Sequence, residues 1–345
     1  MDTRALVVSG PETMAVETRP LAAPAQNEAV VEVVYGGICG SDLHYWRSGR
    51  VGDFVVSAPM VLGHEVVGVV AEPAADGSGP PADRRVAVHP AQVCGGCDHC
   101  LRGEQNLCDD LRYLGSAARV PHTDGGFAER LVVPANRLVP IPGGLDMKTA
   151  ALAEPASVVL HGLRRVRQTG RRVEGADVLV VGAGPIGLLS VAMAGAAGAA
   201  TITVTDVFDE PLAQAMRVGA THTVRVGSGA PVPAADVAVE SSGSPAGLVA
   251  ALTALRPGGT LVNVGHLPAG GVTAPLHLAV TRELTLAGSS RFYHEMPEAL
   301  EIMEAEPWRF SPIITSVFGL EDATAAFKQA ADASGSSKVL LSFAP

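Results

Sequence analysis

Two rhythms of apolar and polar positions divide the chain. Up to about residue 153 the apolar residues come in short runs, at 1–8, 30–34, 66–70, 85–88 and 131–133, each cut off by Gly, Pro, Asp or Asn. Short β-branched runs bounded by turn residues predict strands, and a series of them predicts a β-rich barrel or sandwich. The Gly, Pro and Asp content of residues 73–83 marks one exposed loop.

From residue 173 the rhythm changes. Candidate buried strands at 177–181, 201–205, 236–240, 260–264 and 284–287 alternate with helix-like stretches such as 185–195 and 210–218. Such alternation predicts a doubly wound parallel sheet. A weaker run at 222–226 is separated from the next strand by residues 227–235 alone. A parallel crossover usually takes about a dozen residues or more, so this one is expected to lack a proper helix. After residue 289, helical patterns at 297–305 and 320–331 precede a last strand at 338–343, which is expected to rejoin the first domain.

The length of 345 residues suits two domains, and 47% hydrophobic with 17% charged residues is ample for a packed core. A net charge of -10, with no basic run read along the chain, argues against a nucleic-acid partner. Residues 178–205 carry no charge and pass in length for a membrane span. Five glycines and a proline interrupt them, and a strand-turn-helix-strand pattern explains every part. Asp2 and the lack of an apolar leader read as a first strand rather than a signal peptide. The expectation is a cytoplasmic protein without membrane contact.

The five cysteines then add chemistry. Cys94, Cys97, Cys100 and Cys108 follow the spacing C-x2-C-x2-C-x7-C, which suits a tetrahedral structural zinc with no open position. The odd count and the tight cluster fit reduced thiolates better than disulfides. The cluster lies between two strands and is expected to form a protruding lobe.

Gly182-Ala183-Gly184-Pro185-Ile186-Gly187 follows one strand and opens a helix, and Asp206 ends the next strand about twenty residues on. That context makes the glycine motif a dinucleotide site. Glycine allows the tight turn, the approach of a pyrophosphate and the packing of helix on strand. Asp206 suits the ribose hydroxyls of NAD and repels a 2′-phosphate, and residues 207–211 offer no arginine in compensation, so NAD is expected over NADP.

Cys39, His64 and Glu154 each lie at an element boundary beside Gly or Pro. Singly they read as a buried cysteine, a core histidine and a helix cap. Beside a four-cysteine cluster and a nicotinamide site they read as ligands of a second zinc, one that keeps a position open for substrate. Glu65 is a fourth ligand, an alternating ligand or a carboxylate behind the ligands. Whether Glu65 or Glu154 binds the metal directly stays open.

Over nearly its whole length the chain resembles the zinc-dependent medium-chain dehydrogenases. Gly37-Ile38-Cys39-Gly40-Ser41-Asp42-Leu43-His44-Tyr45-Trp46 and Pro59-Met60-Val61-Leu62-Gly63-His64-Glu65 match the polyol branch, as does glutamate at position 154. Residues 115–117, 121–127 and 288–292 are similar to those of the L-idonate dehydrogenases within that branch. The resemblance implies a GroES-like catalytic zinc domain from residues 1–154 and 289–345, with a Rossmann domain of residues 155–288 inserted. It implies two zinc ions per chain, NAD, a homotetramer or homodimer, and a cleft between the domains. Ser41 and His44 would relay the substrate proton, and Tyr45, Phe54 and Arg291 would line the pocket. Arg47 and Arg50 are open to two readings, attraction of an aldonate carboxylate or plain solvated charge. The expected reaction is hydride transfer from a secondary hydroxyl of an acyclic sugar acid, L-idonate to 5-keto-D-gluconate, with a sorbitol or xylitol dehydrogenase as the alternative. A catalytically silent dinucleotide-binding relative is the reading from another class, disfavoured by the intact set of Cys39, Ser41, His64 and Glu154.

Overall fold

A seven-stranded sheet and a six-stranded sheet organise the computed structural model, which describes residues 2–343. Met1 and the last two residues lie outside the described part. The strand Glu28–Gly37 sits at the centre of the larger sheet, antiparallel to Glu65–Glu72, to Arg130–Pro134 and to Lys338–Ser342. The final strand thus returns to the start of the chain. A three-stranded sheet of Asp2–Gly10, Thr13–Pro20 and Met60–Val61 completes the GroES-like barrel. Its core is built from Leu6, Val31, Leu62, Phe127 and Phe327. Burial alternates only over residues 2–5 of Asp2–Gly10, and residues 5–8 and 29–31 are buried in succession, as in strands covered on both faces.

The second sheet is wholly parallel and Rossmann-like. Asp177–Val181 lies beside Thr201–Asp206 on one side and Ala235–Glu240 on the other, with Leu255–Asn263 and Thr285–Gly288 beyond. Helices cover both faces, which accounts for the buried stretches 178–181 and 237–240 at its centre. The chain leaves His222–Arg225 at the far edge and crosses to Ala235–Glu240 with no helix in residues 226–234. The crossover is bare, as its length dictates.

The helix Ala153–Gln168 carries no mark in the sequence reading, because Pro155 and Gly162 punctuate it. Pro155 falls in the first turn, where a missing N–H costs nothing. Val159, Leu163 and Val166 pack with Val178 and Val180 of the parallel sheet, and the same core continues to Val67 and Ala87 of the barrel. One helix therefore fixes the barrel against the parallel sheet. Among the described residues, no helix is long and apolar enough to cross a membrane. The charge-free stretch is a strand, the helix Pro185–Ala196 and a second strand.

Candidate active site and metal centres

Cys39 immediately precedes the helix Gly40–Ser48, and Asp42 closes its N-terminus by accepting the Cys39 N–H at 2.9 Å. The second Asp42 oxygen accepts the Gly63 N–H at 3.1 Å and lies 4.0 Å from His64 Nδ1. One buried carboxylate thus ties the Cys39 turn to the His64 turn. Sequence reading passed over Asp42, although its position three residues after Cys39 is that of a capping acid. Gly63 takes φ +94, and a Cβ there would meet the Phe127 ring at 2.1 Å, so glycine is required where the His64 turn crosses the barrel core.

The ligand atoms of Cys39, His64 and Glu65 all lie within 4.8 Å of one another. Glu154 is not in that set, yet it stands beside it: Tyr113 donates to Glu154 Oε1 at 2.6 Å, and the Tyr113 ring packs edge-on to His64 at 5.7 Å. Glu65 accepts two hydrogen bonds from Lys338, at 2.8 and 2.7 Å. Both Tyr113 and Lys338 escaped sequence reading. A lysine opening the apolar strand Lys338-Val339-Leu340-Leu341 was the available signal, since a charge buried in a strand needs a partner.

Electrostatics show what the pocket wants. Burial works against a charged His64, but the Cys39 thiolate and the Asp42 carboxylate outweigh it and hold His64 well above the ordinary imidazole value. Burial pushes Glu154 up to about 7, opposed by His64 and reinforced by the neighbouring Glu65 carboxylate. Burial likewise raises Tyr113, with the Glu154 charge adding to it. A thiol, an imidazole and three carboxylates therefore crowd one buried volume, with Lys338 as the lysine that answers them. Such an anion excess of mixed S, N and O donors fits a divalent zinc.

The four-cysteine lobe is the closed site that its spacing predicts. It projects between Ala91–Gln92 and Arg112–Tyr113, which pair antiparallel and clamp its base. No pair forms a disulfide. Cys94 Sγ is 3.9 Å from Cys100 Sγ and 3.5 Å from Cys108 Sγ. A tetrahedral zinc with bonds of about 2.3 Å demands sulfur–sulfur edges of about 3.8 Å, so the cage fits. Backbone N–H groups of Cys94 and Cys97 donate to the sulfurs of Cys108 and Cys94, both at 3.3 Å, as suits thiolates. Backbone N–H donors pull Cys97 down to about 6, while burial pushes Cys100 up to about 12. The cage holds no catalytic open position.

At the dinucleotide motif, Gly182 takes φ +93 at the strand-to-helix turn, and Pro185 occupies the first turn of the helix Pro185–Ala196. A Cβ on Gly187 would meet the Gly182 carbonyl oxygen at 1.9 Å. Gly184 differs, since a Cβ there would meet nothing within 4 Å. Ile186 packs on the core of the parallel sheet. Asp206 accepts the Ala183 N–H at 2.7 Å and the Phe208 N–H at 3.0 Å, so it braces the glycine turn from the neighbouring strand. An open space over Gly184 at a helix start, flanked by that carboxylate, fits a dinucleotide.

The remaining expected residues are spread more widely. Ser41 is half-buried and His44 exposed, on the helix that Cys39 begins, with no hydrogen bond between them in the described residues. Tyr45 is 3% exposed and sits in the barrel core, its hydroxyl oxygen accepting the Ala117 N–H at 3.0 Å. Phe54 is exposed on the short hairpin of Arg50–Val51 and Phe54–Val55. Arg291 takes φ 53, and its guanidinium carbon lies 5.5 Å from the Tyr113 ring centroid. Arg291 and Glu154 thus have Tyr113 as a common neighbour, one at its ring and the other at its hydroxyl. Arg47 is exposed, and Arg50 donates to the Gly52 carbonyl at 2.7 Å within its own turn.

Comparison with known proteins agrees with this geometry. Residues 25–143 match the alcohol dehydrogenase GroES-like domain, and residues 185–305 match the zinc-binding dehydrogenase domain. The chain is 36% identical to L-idonate 5-dehydrogenase (NAD(P)(+)) of Escherichia coli (strain K12), over 99% of each chain. It is 35% identical to the sorbitol dehydrogenase of Bos taurus, over 94% of this chain and 91% of that one. The crystal structure of the Escherichia coli L-idonate 5-dehydrogenase superposes with a TM-score of 0.92 at 34% identity, covering 99% of this chain and 98% of that one.

Proposed function

The chain belongs to the zinc-dependent alcohol and polyol dehydrogenase family, and from that premise we propose that it oxidises a secondary hydroxyl of an acyclic sugar acid with NAD, L-idonate to 5-keto-D-gluconate being the reaction. The observation that carries the substrate class is the position of Arg291. Its guanidinium stands over Tyr113, whose hydroxyl binds Glu154, and a cation one side chain removed from Glu154 would suit the carboxylate of an aldonate. The full-length likeness to an L-idonate dehydrogenase supports the same reading. The likeness to sorbitol dehydrogenases supports a neutral polyol as the second reading.

Cys39, His64 and Glu65 would hold the catalytic zinc, with Glu154 fixed beside them by Tyr113, and Cys94, Cys97, Cys100 and Cys108 would hold the structural one. When bound, zinc supplies Lewis acidity to the substrate hydroxyl and NAD supplies the hydride acceptor. The protein's own residues do the rest. Asp42 fixes the Cys39 and His64 turns relative to each other. Ser41 would take the substrate proton while releasing its own hydroxyl proton, which would leave to solvent by way of His44, in keeping with the half-buried and exposed positions of the two. Gly182, Gly184, Pro185, Ile186 and Gly187 seat the pyrophosphate at the helix start, and Asp206 faces the ribose. We divide the chain at 154/155 and 288/289 into a discontinuous catalytic domain and a cofactor domain, working in the cytosol as a homodimer or homotetramer.

The test is NADH formation by zinc-replete protein offered L-idonate, D-gluconate, sorbitol, xylitol and L-threonine in parallel, with NADP in place of NAD as a second arm. Preference for L-idonate with NAD supports the proposal in full. Preference for sorbitol or xylitol keeps the chemistry and discards the sugar acid. No turnover of any substrate by protein carrying both zinc ions favours an untested alcohol or the silent-relative reading. If Arg291 holds the carboxylate, Arg291→Ala raises KM for the aldonate at least about tenfold more than for a neutral polyol.

A further inference from the structure

The expectation that no basic run exists fails at residues 164–172, where five of nine residues are arginine in a chain of net charge -10. The structure gives this segment a shape. Arg164, Arg167, Arg171 and Arg172 border a cavity of about 640 Å3 whose apolar wall includes Leu163, Met193 and Ile302. None of the cavity's lining residues belongs to the catalytic, four-cysteine or glycine-motif sites.

Two ordinary duties leave part of the cluster unexplained. Arg164 is neutralised by Glu295 and Glu298. Arg165 and Arg167 occupy the last turn of the helix Ala153–Gln168, where a cation answers the carbonyl dipole. Arg171 and Arg172 lie beyond that helix, and the side chains of Arg167, Arg171 and Arg172 form no hydrogen bond or ion pair among the described residues. Glu174 is the one lining acid besides Glu298. The rim therefore keeps an excess of positive charge over an apolar floor.

We propose that this cavity is a second ligand site, separate from the active centre, for a small amphiphilic anion: an apolar or aromatic body carrying a phosphate. A volume of this size matches a small-molecule pocket. Guanidinium forks bind phosphate oxygens two at a time, and the apolar wall takes the body.

The probe is 1-naphthyl phosphate, titrated calorimetrically into the zinc-replete protein with saturating NAD present to fill the glycine-motif cleft. The expected result is one equivalent bound, with 1-naphthol and inorganic phosphate each binding at least about tenfold more weakly. Arg167→Glu and Arg172→Glu, judged folded by unchanged circular dichroism and Tm, are each expected to weaken the probe at least about tenfold. Arg84→Glu, an exposed reversal elsewhere, is expected to leave it unchanged. No binding, equal binding of 1-naphthol, or equal weakening by all three reversals would overturn the proposal.

Discussion

Lys338 Nζ donates to both carboxylate oxygens of Glu65, at 2.8 and 2.7 Å, across 273 residues of sequence. The two side chains are 3% and 1% exposed. Lys338 also donates to the Ile38 carbonyl at 3.0 Å, one residue before Cys39. Burial alone would lower the lysine pKa, but the Glu65 and Cys39 charges outweigh it and raise it. The last strand of the chain therefore sets the position of a carboxylate in the candidate catalytic site.

Breaking this pair is expected to cost far more than replacing it. Lys338→Met leaves a buried carboxylate without its partner and is expected to lose about 3–5 kcal/mol of stability. The double variant Lys338→Met with Glu65→Gln is expected to recover most of that loss. Urea denaturation of both, in zinc-loaded and metal-free protein, checks it. An equal loss in the single and double variants would mean that Lys338 contributes by packing alone.

The four-cysteine cage is expected to be structural. Cys100→Ser is expected to lose one zinc equivalent of two and to lower Tm by roughly 5 °C or more. Metal analysis by mass spectrometry and a thermal scan measure the two effects together. Retention of both metals with an unchanged Tm would mean that Cys100 is not a ligand.

Local pattern made most of the fold legible. The strand Asp177–Val181 is unbroken apolar sequence after its first residue, and Gly182 and Asp206 stand where the strand ends require them. The cysteine cage was legible because its four ligands lie within fifteen residues, 94–108. The catalytic site was legible only residue by residue. What joins Glu154 to Tyr113 is a hydrogen bond across 41 residues, and what joins Glu65 to Lys338 spans 273. No periodicity encodes such pairs, since they are set by how the strands of the barrel close. The helix Gly40–Ser48 was hidden for another reason: it begins with glycine and buries only Asp42 and Tyr45, so it shows no broad apolar stripe.

His89 gives the fold an acid limit. It is 9% exposed, accepts the Ala91 N–H on Nδ1 at 3.2 Å and holds the Tyr293 carbonyl through Nε2 at 2.9 Å, the pattern of a neutral ring. Burial lowers its pKa to about 4. The unfolded chain, near 6.5, then binds this proton more readily than the folded one, so stability is full above about pH 6.5 and falls as pH drops toward 4. The expected loss is about 2 kcal/mol by pH 5. His89→Gln removes that slope. Urea unfolding of both proteins at pH 7 and pH 5 decides it, and an identical pH dependence would mean that His89 does not titrate in this range.

Two glycines of the dinucleotide motif are expected to separate fold from function. At Gly187 a Cβ would sit 1.9 Å from the Gly182 carbonyl oxygen, a backbone atom that cannot move without opening the turn. Gly187→Ala is therefore expected to destabilise the protein with or without cofactor. At Gly184 the backbone is extended, φ -70 and ψ -176, and a Cβ finds nothing within 4 Å. No contact inside the protein demands glycine there, so its small size serves whatever approaches the helix from outside. Gly184→Val is expected to keep the Tm of the parent while weakening NAD at least about tenfold, read by thermal shift on adding NAD and by calorimetry. A Gly184→Val protein that binds NAD as tightly as the parent would place the pyrophosphate elsewhere. Matched losses of Tm in both variants would mean that the motif is held by packing and says nothing about a ligand.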